Sequence, residues 1–256
     1  MTEGDVVPFD DSQALAERLG ATRMDLTVVA VRPLSAQLVR VELAGDALRD
    51  LSHEAGQDLM LTAAPGPPVL RRRWTIRALD RAAGTAAVDV VVHPGVDGAS
   101  TLHQAVPGDV VEAIGPRGKV HLVPGARVHH FLGDLSFLPA ASVMAEAVRA
   151  PARAVLSLAV PSAAEHLEPA ASAAEPVRWV VDTGDDAATG LALLTASGLD
   201  APEDGVVAYV GGEMTLAATI RSALVRDRGW PREAVLPKPY WRRGTPNARN
   251  GEPGRD

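Results

Sequence analysis

The sequence predicts an antiparallel β-barrel followed by an α/β domain built on a parallel sheet. Three observations carry this reading. Up to about residue 123 the chain falls into short alternating stretches at regular spacing, separated by turn residues, as in a closed antiparallel barrel. After Gly125 strand-like runs alternate with helix-like ones, which is the rhythm of a parallel sheet. A length of 256 residues suits two modest domains.

Taken in order, residues 1–22 form an N-terminal extension, within which Asp10 to Leu19 reads as a short helix capped near Asp11 or Ser12. The barrel spans residues 23–125. It opens with Asp25–Val31 and Leu38–Leu43, which alternate around a turn at Pro33-Leu34-Ser35. Asp58–Ala63 is a third strand, and Pro65-Gly66-Pro67-Pro68 a loop. Arg72–Leu79 and Ala87–His93 are strands on either side of a turn containing Gly84, and Ala99–Val106 is a short helix. Val110–Ile114 and Lys119–Val123 read as strands around the turn Gly115-Pro116-Arg117-Gly118. The domain boundary falls between Pro124 and Arg127. In the second domain, residues 126–244, strands are expected at Val128–Leu132, Ala154–Val160, Val177–Val181 and Val206–Val210. Helices are expected at Pro139–Arg149, Ala188–Ala196 and Met214–Arg228. Residues 245–256 are polar and read as a disordered tail.

Composition narrows the function. A net charge of −7 disfavours a general nucleic-acid binder, so any anionic ligand must be held by a local cluster of cations. There is no cysteine, which excludes disulfides, zinc-thiolate sites, Fe–S clusters and thiol catalysis. The acidic start MTEGDVVPFDD lacks the apolar segment of a signal peptide, and no apolar run approaches the roughly 20 residues that span a bilayer. A soluble, cytoplasmic protein without membrane insertion is expected. No histidine or carboxylate spacing suggests a protein-bound metal, and no catalytic triad is convincing.

Five segments could carry chemistry. In Arg71-Arg72-Arg73-Trp74-Thr75-Ile76-Arg77, a strand places Arg72 and Trp74 on one face and Arg73 and Thr75 on the other. A guanidinium beside an indole suits a phosphate and a ring system together, although a core Trp among exposed arginines is the blander reading. His93 to Ser100 joins a strand end to a short helix, where amides at Gly98, Ala99 and Ser100 could hold a pyrophosphate or simply form a capped turn. Gly133-Asp134-Leu135-Ser136-Phe137-Leu138-Pro139 follows the first strand of the α/β half, where such sheets take nucleotides. Gly211-Gly212-Glu213-Met214 is a second strand-to-helix junction. Lys238-Pro239-Tyr240-Trp241-Arg242-Arg243-Gly244 sets two aromatics among three cations, in a chain with only 4% aromatic residues. An aromatic plug would explain the rings but not the cations.

In this order the pieces resemble the siderophore-interacting protein family, a branch of the ferredoxin-reductase-like flavoproteins. The family shows Arg-x-Tyr-Thr-x-Arg in a barrel strand, matched here by Arg72 to Arg77. A His at a strand end is matched by His93, and a Gly-Pro-Arg-Gly turn by Gly115 to Gly118. A Gly-Asp-x-(Ser/Thr)-x-x-Pro segment is matched by Gly133 to Pro139, a Gly-Glu pair by Gly212-Glu213, and Tyr-Trp-Arg-x-Gly by Tyr240 to Gly244. The resemblance runs from about Leu26 to Gly244.

The resemblance implies an FAD-binding β-barrel joined to an NAD(P)-binding-like domain. It implies reduction of Fe(III) in a siderophore, with electrons passing from NADH or NADPH through FAD. By residue, it implies that Arg72 pairs with the FAD phosphates, Trp74 packs on the isoalloxazine ring and Thr75 hydrogen-bonds near its reactive edge. His93, Gly98, Ala99 and Ser100 would face the pyrophosphate. Gly133, Asp134 and Ser136, with Gly212 and Glu213, would border the nicotinamide. Lys238, Arg242 and Arg243 would attract the anionic chelate, and Trp241 would cover the flavin or shape the pocket.

Three positions depart from the pattern. Trp74 replaces the usual Tyr, Leu135 stands where Glu is common, and Asp182 ends a strand where members carry His-Arg. A carboxylate at Asp182 opposes a 2′-phosphate and tolerates a ribose diol, which favours NADH or loss of nicotinamide binding. A separate electron-transfer protein is a further donor. Two other functions share these residues: a flavoprotein of this fold serving another redox step in biosynthesis, and a binding protein that has lost flavin turnover. The sequence is silent on oligomeric state.

Overall fold

A computed structural model of the chain describes residues 12–64, 70–92, 102–167 and 175–244. The expected loop Pro65–Pro68, the segment His93–Ser100 and the tail 245–256 lie outside the described residues.

The first half is a closed barrel of six antiparallel strands in the order β1-β2-β5-β4-β3-β6. They run Thr22–Pro33 (β1), Leu38–Ala44 (β2), Asp58–Ala64 (β3), Leu70–Asp80 (β4), Thr85–Val91 (β5) and Val110–Arg117 (β6). Alternation does what the sequence predicts: Met24, Leu26 and Val28 of β1 meet Val41, Leu43, Leu59, Leu61, Ile76, Val88 and Ala113 inside. A short helix, α1 (Ser12–Leu19), docks on the outside. Ser12 Oγ donates to Glu112 at 2.6 Å, and Arg71 donates to both Ser12 Oγ and Glu112.

One expectation fails here. Gly115-Pro116-Arg117 is not a turn but the end of β6, and Lys119–Val123 is not a strand. Gly115 pairs with Thr22 and Arg117 with Asp58, so β6 stays in the sheet through this segment, with a register shift against β3. The glycine is needed for close strand approach, since a Cβ there would lie 2.6 Å from Leu59 Cδ2. Residues 119–123 form the linker instead. Their alternation reflects Val120, Leu122 and Val123 packing on the core of the second half.

That half is a parallel sheet in the order β11-β10-β7-β8-β9, comprising Val128–Asp134 (β7), Arg153–Val160 (β8), Arg178–Val181 (β9), Val206–Glu213 (β10) and Val235–Trp241 (β11). β7 and β10 are buried throughout, as is β8 beyond its first residue, because helices cover both faces. Helix α2 (Leu138–Ala147) packs over Phe131, Leu156 and Tyr209. Helices α3 (Asp186–Ser197) and α4 (Met214–Ser222) pack over Leu132, Val155 and Val210. The expected helix Met214–Arg228 is α-helical to Ser222 and continues as a π-helix over Ala223–Asp227.

The α2-side core continues into the barrel: Leu38 is fully buried in it, with Leu34 and Val91 packed alongside. Ionic contacts reinforce the join. Arg77 on β4 grips Glu146 on α2 with bonds of 2.8 and 2.6 Å, and Glu165 accepts from Ser35 and from the Gln37 amide.

Candidate functional site

β4 has two faces and two environments. Arg72 and Trp74 stand opposite Leu61 and Leu59 of β3, which turns both toward the barrel interior. The indole packs partly on the barrel core and is only half buried. The β4–β5 ladder runs from Ile76 to Asp80, so Arg72 and Trp74 lie N-terminal to it on β4. Burial holds the Arg72 pKa below the ordinary arginine value, which makes a nearby phosphate a favourable partner.

Arg73, Thr75 and Arg77 face the other way, toward the second domain. Arg73 makes two 2.8 Å bonds to Asp58, and the same carboxylate lies 3.3 Å from Lys238 Nζ. Lys238 also donates to the Gly56 carbonyl at 3.1 Å and sits 5.6 Å from the centre of the Tyr240 ring. Thr75 is buried facing the Tyr240 hydroxyl, whose pKa burial drives well above the ordinary tyrosine value.

The carboxyl ends of β7, β10 and β11 gather the remaining residues. The strand order reverses between β7 and β10, the point at which open α/β sheets take ligands. Gly133 and Gly211 face each other there. The space is filled from within. A Cβ on Gly211 would lie 2.3 Å from the Phe137 ring, and one on Gly212 would lie 2.6 Å from the Asp134 carboxylate. Asp134 accepts from the Ser136 amide and hydroxyl, the Glu213 amide and the Trp241 indole N–H. Glu213 caps α4 through the Thr215 and Leu216 amides, and also accepts from the Arg243 amide. The amides that would hold a pyrophosphate here are thus occupied by the chain's own carboxylates. Burial raises the Asp134 pKa, while these four donors hold it down.

Arg243 stacks over Trp241 and reaches Asp186 at 3.4 Å, while Arg242 is exposed. Asp182 closes a turn on the Gly184 amide after β9, and with Asp185 and Asp186 makes an acidic edge at the start of α3.

The structure thus brings Thr75, Lys238 and Tyr240 together at the domain seam, with Arg72 and Trp74 on the opposite face of the same strand. Gly133, Asp134, Ser136, Gly212, Glu213, Trp241 and Arg243 form a second group at the sheet end. His93, Gly98, Ala99 and Ser100 lie outside the described residues. Sequence reasoning missed Asp58, whose carboxylate ties Arg73 to Lys238, because an acid opening a strand resembles any polar flank. It also missed Phe137 as the group that demands a glycine at position 211 of β10.

These residues fit FAD. Arg72 offers charge for its phosphates, Trp74 a flat, half-buried surface, and Thr75 a hydroxyl beside the second domain. A six-stranded barrel joined to this parallel sheet is a ferredoxin-reductase-like fold. The ferredoxin reductase of carbazole 1,9a-dioxygenase has the same fold, with 21% identity, a TM-score of 0.67 and coverage of 86% of this chain and 70% of that one.

The family follows from the sequence matches. Residues 60–120 match the siderophore-interacting FAD-binding domain and residues 126–244 the siderophore-interacting protein model. The chain belongs to the siderophore-interacting protein family. It is 26% identical over 242 residues to the ferric vibriobactin reductase ViuB of Vibrio cholerae, covering 86% of this chain and 89% of that one. A siderophore utilization protein from T. fusca has a similar structure, with 29% identity, a TM-score of 0.77 and coverage of 90% and 96%.

Proposed function

We propose that this protein is an FAD-dependent reductase of ferric siderophores. The observation that carries the reading is β4: a half-buried cation and a half-buried indole share one face, and a buried hydroxyl faces the partner domain from the other. When bound, FAD takes electrons in pairs from a nicotinamide and hands them singly to Fe(III). The chain's own residues do the rest. Arg72 anchors the phosphates, Trp74 supports the ring, and Thr75 fixes its edge against the second domain. His93, Gly98, Ala99 and Ser100 are the further phosphate partners in this reading.

The substrate is an anionic ferric chelate. Lys238, Arg242 and Arg243 supply a local positive field within a chain of net charge −7, and Trp241 shapes the pocket beside them. Fe(II) carries less charge than Fe(III), so hard oxygen donors hold it less tightly and release follows reduction.

NADH is the donor this site favours. Asp182, Asp185 and Asp186 repel a 2′-phosphate, and Asp134 and Glu213 have already taken the amides a diphosphate would use. Nicotinamide binding at Gly133, Asp134, Ser136, Gly212 and Glu213 is therefore weak and runs along their outer edge. A pool of NADH places the reaction in the cytoplasm.

The test is steady-state release of Fe(II) from a ferric tris-catecholate, trapped by a ferrous chelator, with protein, FAD and either nicotinamide. NADH should support release with a kcat/KM at least about tenfold above that of NADPH, the effect of one unfavourable charge contact. Equal use of both would refute the donor assignment. No Fe(II) from any anionic ferric chelate would refute the function.

A further inference from the structure

We propose that Asp58 is a positioning residue for Lys238, holding its ammonium at the domain seam where the chelate docks. This rests on the chelate reading above.

Asp58 opens β3 and is only 3% exposed. Its two oxygens are already matched by the Arg73 guanidinium at 2.8 Å each. Lys238 nevertheless comes to 3.3 Å from Oδ2 and adds a second positive charge to one carboxylate. Lys238, whose side chain is 15% exposed, thus brings a second cation to one buried carboxylate, and an anion on its free side would offset the cost of that burial. Two of the three ammonium protons have acceptors, Asp58 and the Gly56 carbonyl. The third is left for a ligand oxygen. Gly118 borders the spot at φ 122°, where a Cβ would lie 3.5 Å from Nζ and 3.6 Å from Asp58 Oδ2.

The charged and titratable groups facing Lys238 are Asp58 from β3, Arg73 from β4 and Tyr240 from its own strand. Burial is the largest influence on Lys238 and pulls its pKa down; Asp58 pulls it up, and Arg73 down. Without Asp58, both remaining influences favour the neutral amine. A neutral amine has no charge to offer a ferric chelate.

The chain has two lysines, Lys119 and Lys238, so the Lys238 titration can be read directly. Protein labelled with lysine carrying ¹³C at Cε gives two NMR signals, and Lys119→Arg assigns them. We expect Asp58→Asn to lower the Lys238 midpoint by about one pH unit or more. Asp58→Glu should restore it, which separates charge from misfolding. Binding of a ferric tris-catecholate to the FAD-loaded protein, followed by calorimetry across pH, should track that midpoint. Above it, Asp58→Asn should bind about tenfold more weakly, and below it nearly as well as wild type. An unmoved midpoint would overturn the role given to Asp58. A loss of affinity equal at every pH would overturn it too, as the mark of a purely structural pair. A lowered midpoint with Lys238→Ala binding the chelate as tightly as wild type would instead overturn the chelate's placement, leaving the Asp58–Lys238 coupling intact.

Discussion

Two single side chains make claims that can be checked separately. Arg72 is half buried on β4, and a phosphate oxygen there would accept a charge-assisted bond. Arg72→Ala should weaken FAD binding about ten- to a hundredfold, the value of one such bond. Fluorescence titration of the apoprotein with FAD measures this, and an unchanged affinity would move the cofactor off β4. His130 makes a different claim, about stability. Burial, with Arg178 and Arg153 nearby, pushes its pKa from 6.5 down to about 4. The folded protein keeps this imidazole neutral while the unfolded chain takes up a proton below pH 6.5. Its contribution is thus complete above 6.5 and is lost as pH falls toward 4. Between pH 7 and pH 5 that loss is about 2 kcal/mol. Urea unfolding of His130→Leu should show a correspondingly flatter pH profile, and an identical slope would contradict the assignment. Nothing in the sequence foretold this shift, since His129-His130 reads only as two histidines in a strand.

At the scale of elements, the strands and helices were legible wherever one face is buried. Alternation located β1 and β2, the turn at Gly84 separated β4 from β5, and an apolar-rich run marked β8. Failures occurred where one pattern has two causes. Residues 119–123 alternate like a strand because a linker lies across a core. β11 was read as an aromatic segment because Pro237 and Pro239 interrupt it. Those prolines are tolerated since β11 is an edge strand that pairs only with β10. The junction glycines were visible, but their reason was not. They look like room for a ligand, whereas Gly211 accommodates the Phe137 ring. Gly211→Ala should therefore destabilise the protein by at least about 2 kcal/mol, through overpacking. Adding Phe137→Leu should recover part of that loss, and strict additivity in thermal unfolding would show that the ring is not the obstacle.

For the whole molecule, two domains share a core and a line of ion pairs across the seam. Leu38 of the barrel belongs to the same packed core as Phe131 and Leu156 of the sheet domain, with Leu34 and Val91 against that core, and Arg77 spans to Glu146. The halves should unfold together in one calorimetric transition, while two separated transitions would mean that the seam is loosely held. The order of motifs along the chain made the architecture and family readable in advance. The joining of Asp58, Arg73 and Lys238 was not readable, because 15 residues separate the first pair and 180 the second. Only the fold brings such distant charges together. The central claim is that electrons leave this protein for iron held in an anionic chelate. Its most direct measurement is anaerobic: the FAD-loaded protein is bleached with NADH, freed of excess nicotinamide and mixed with a ferric tris-catecholate. Return of the yellow flavin colour together with stoichiometric Fe(II) is the predicted result. A flavin that stays bleached in the presence of the chelate would contradict the account.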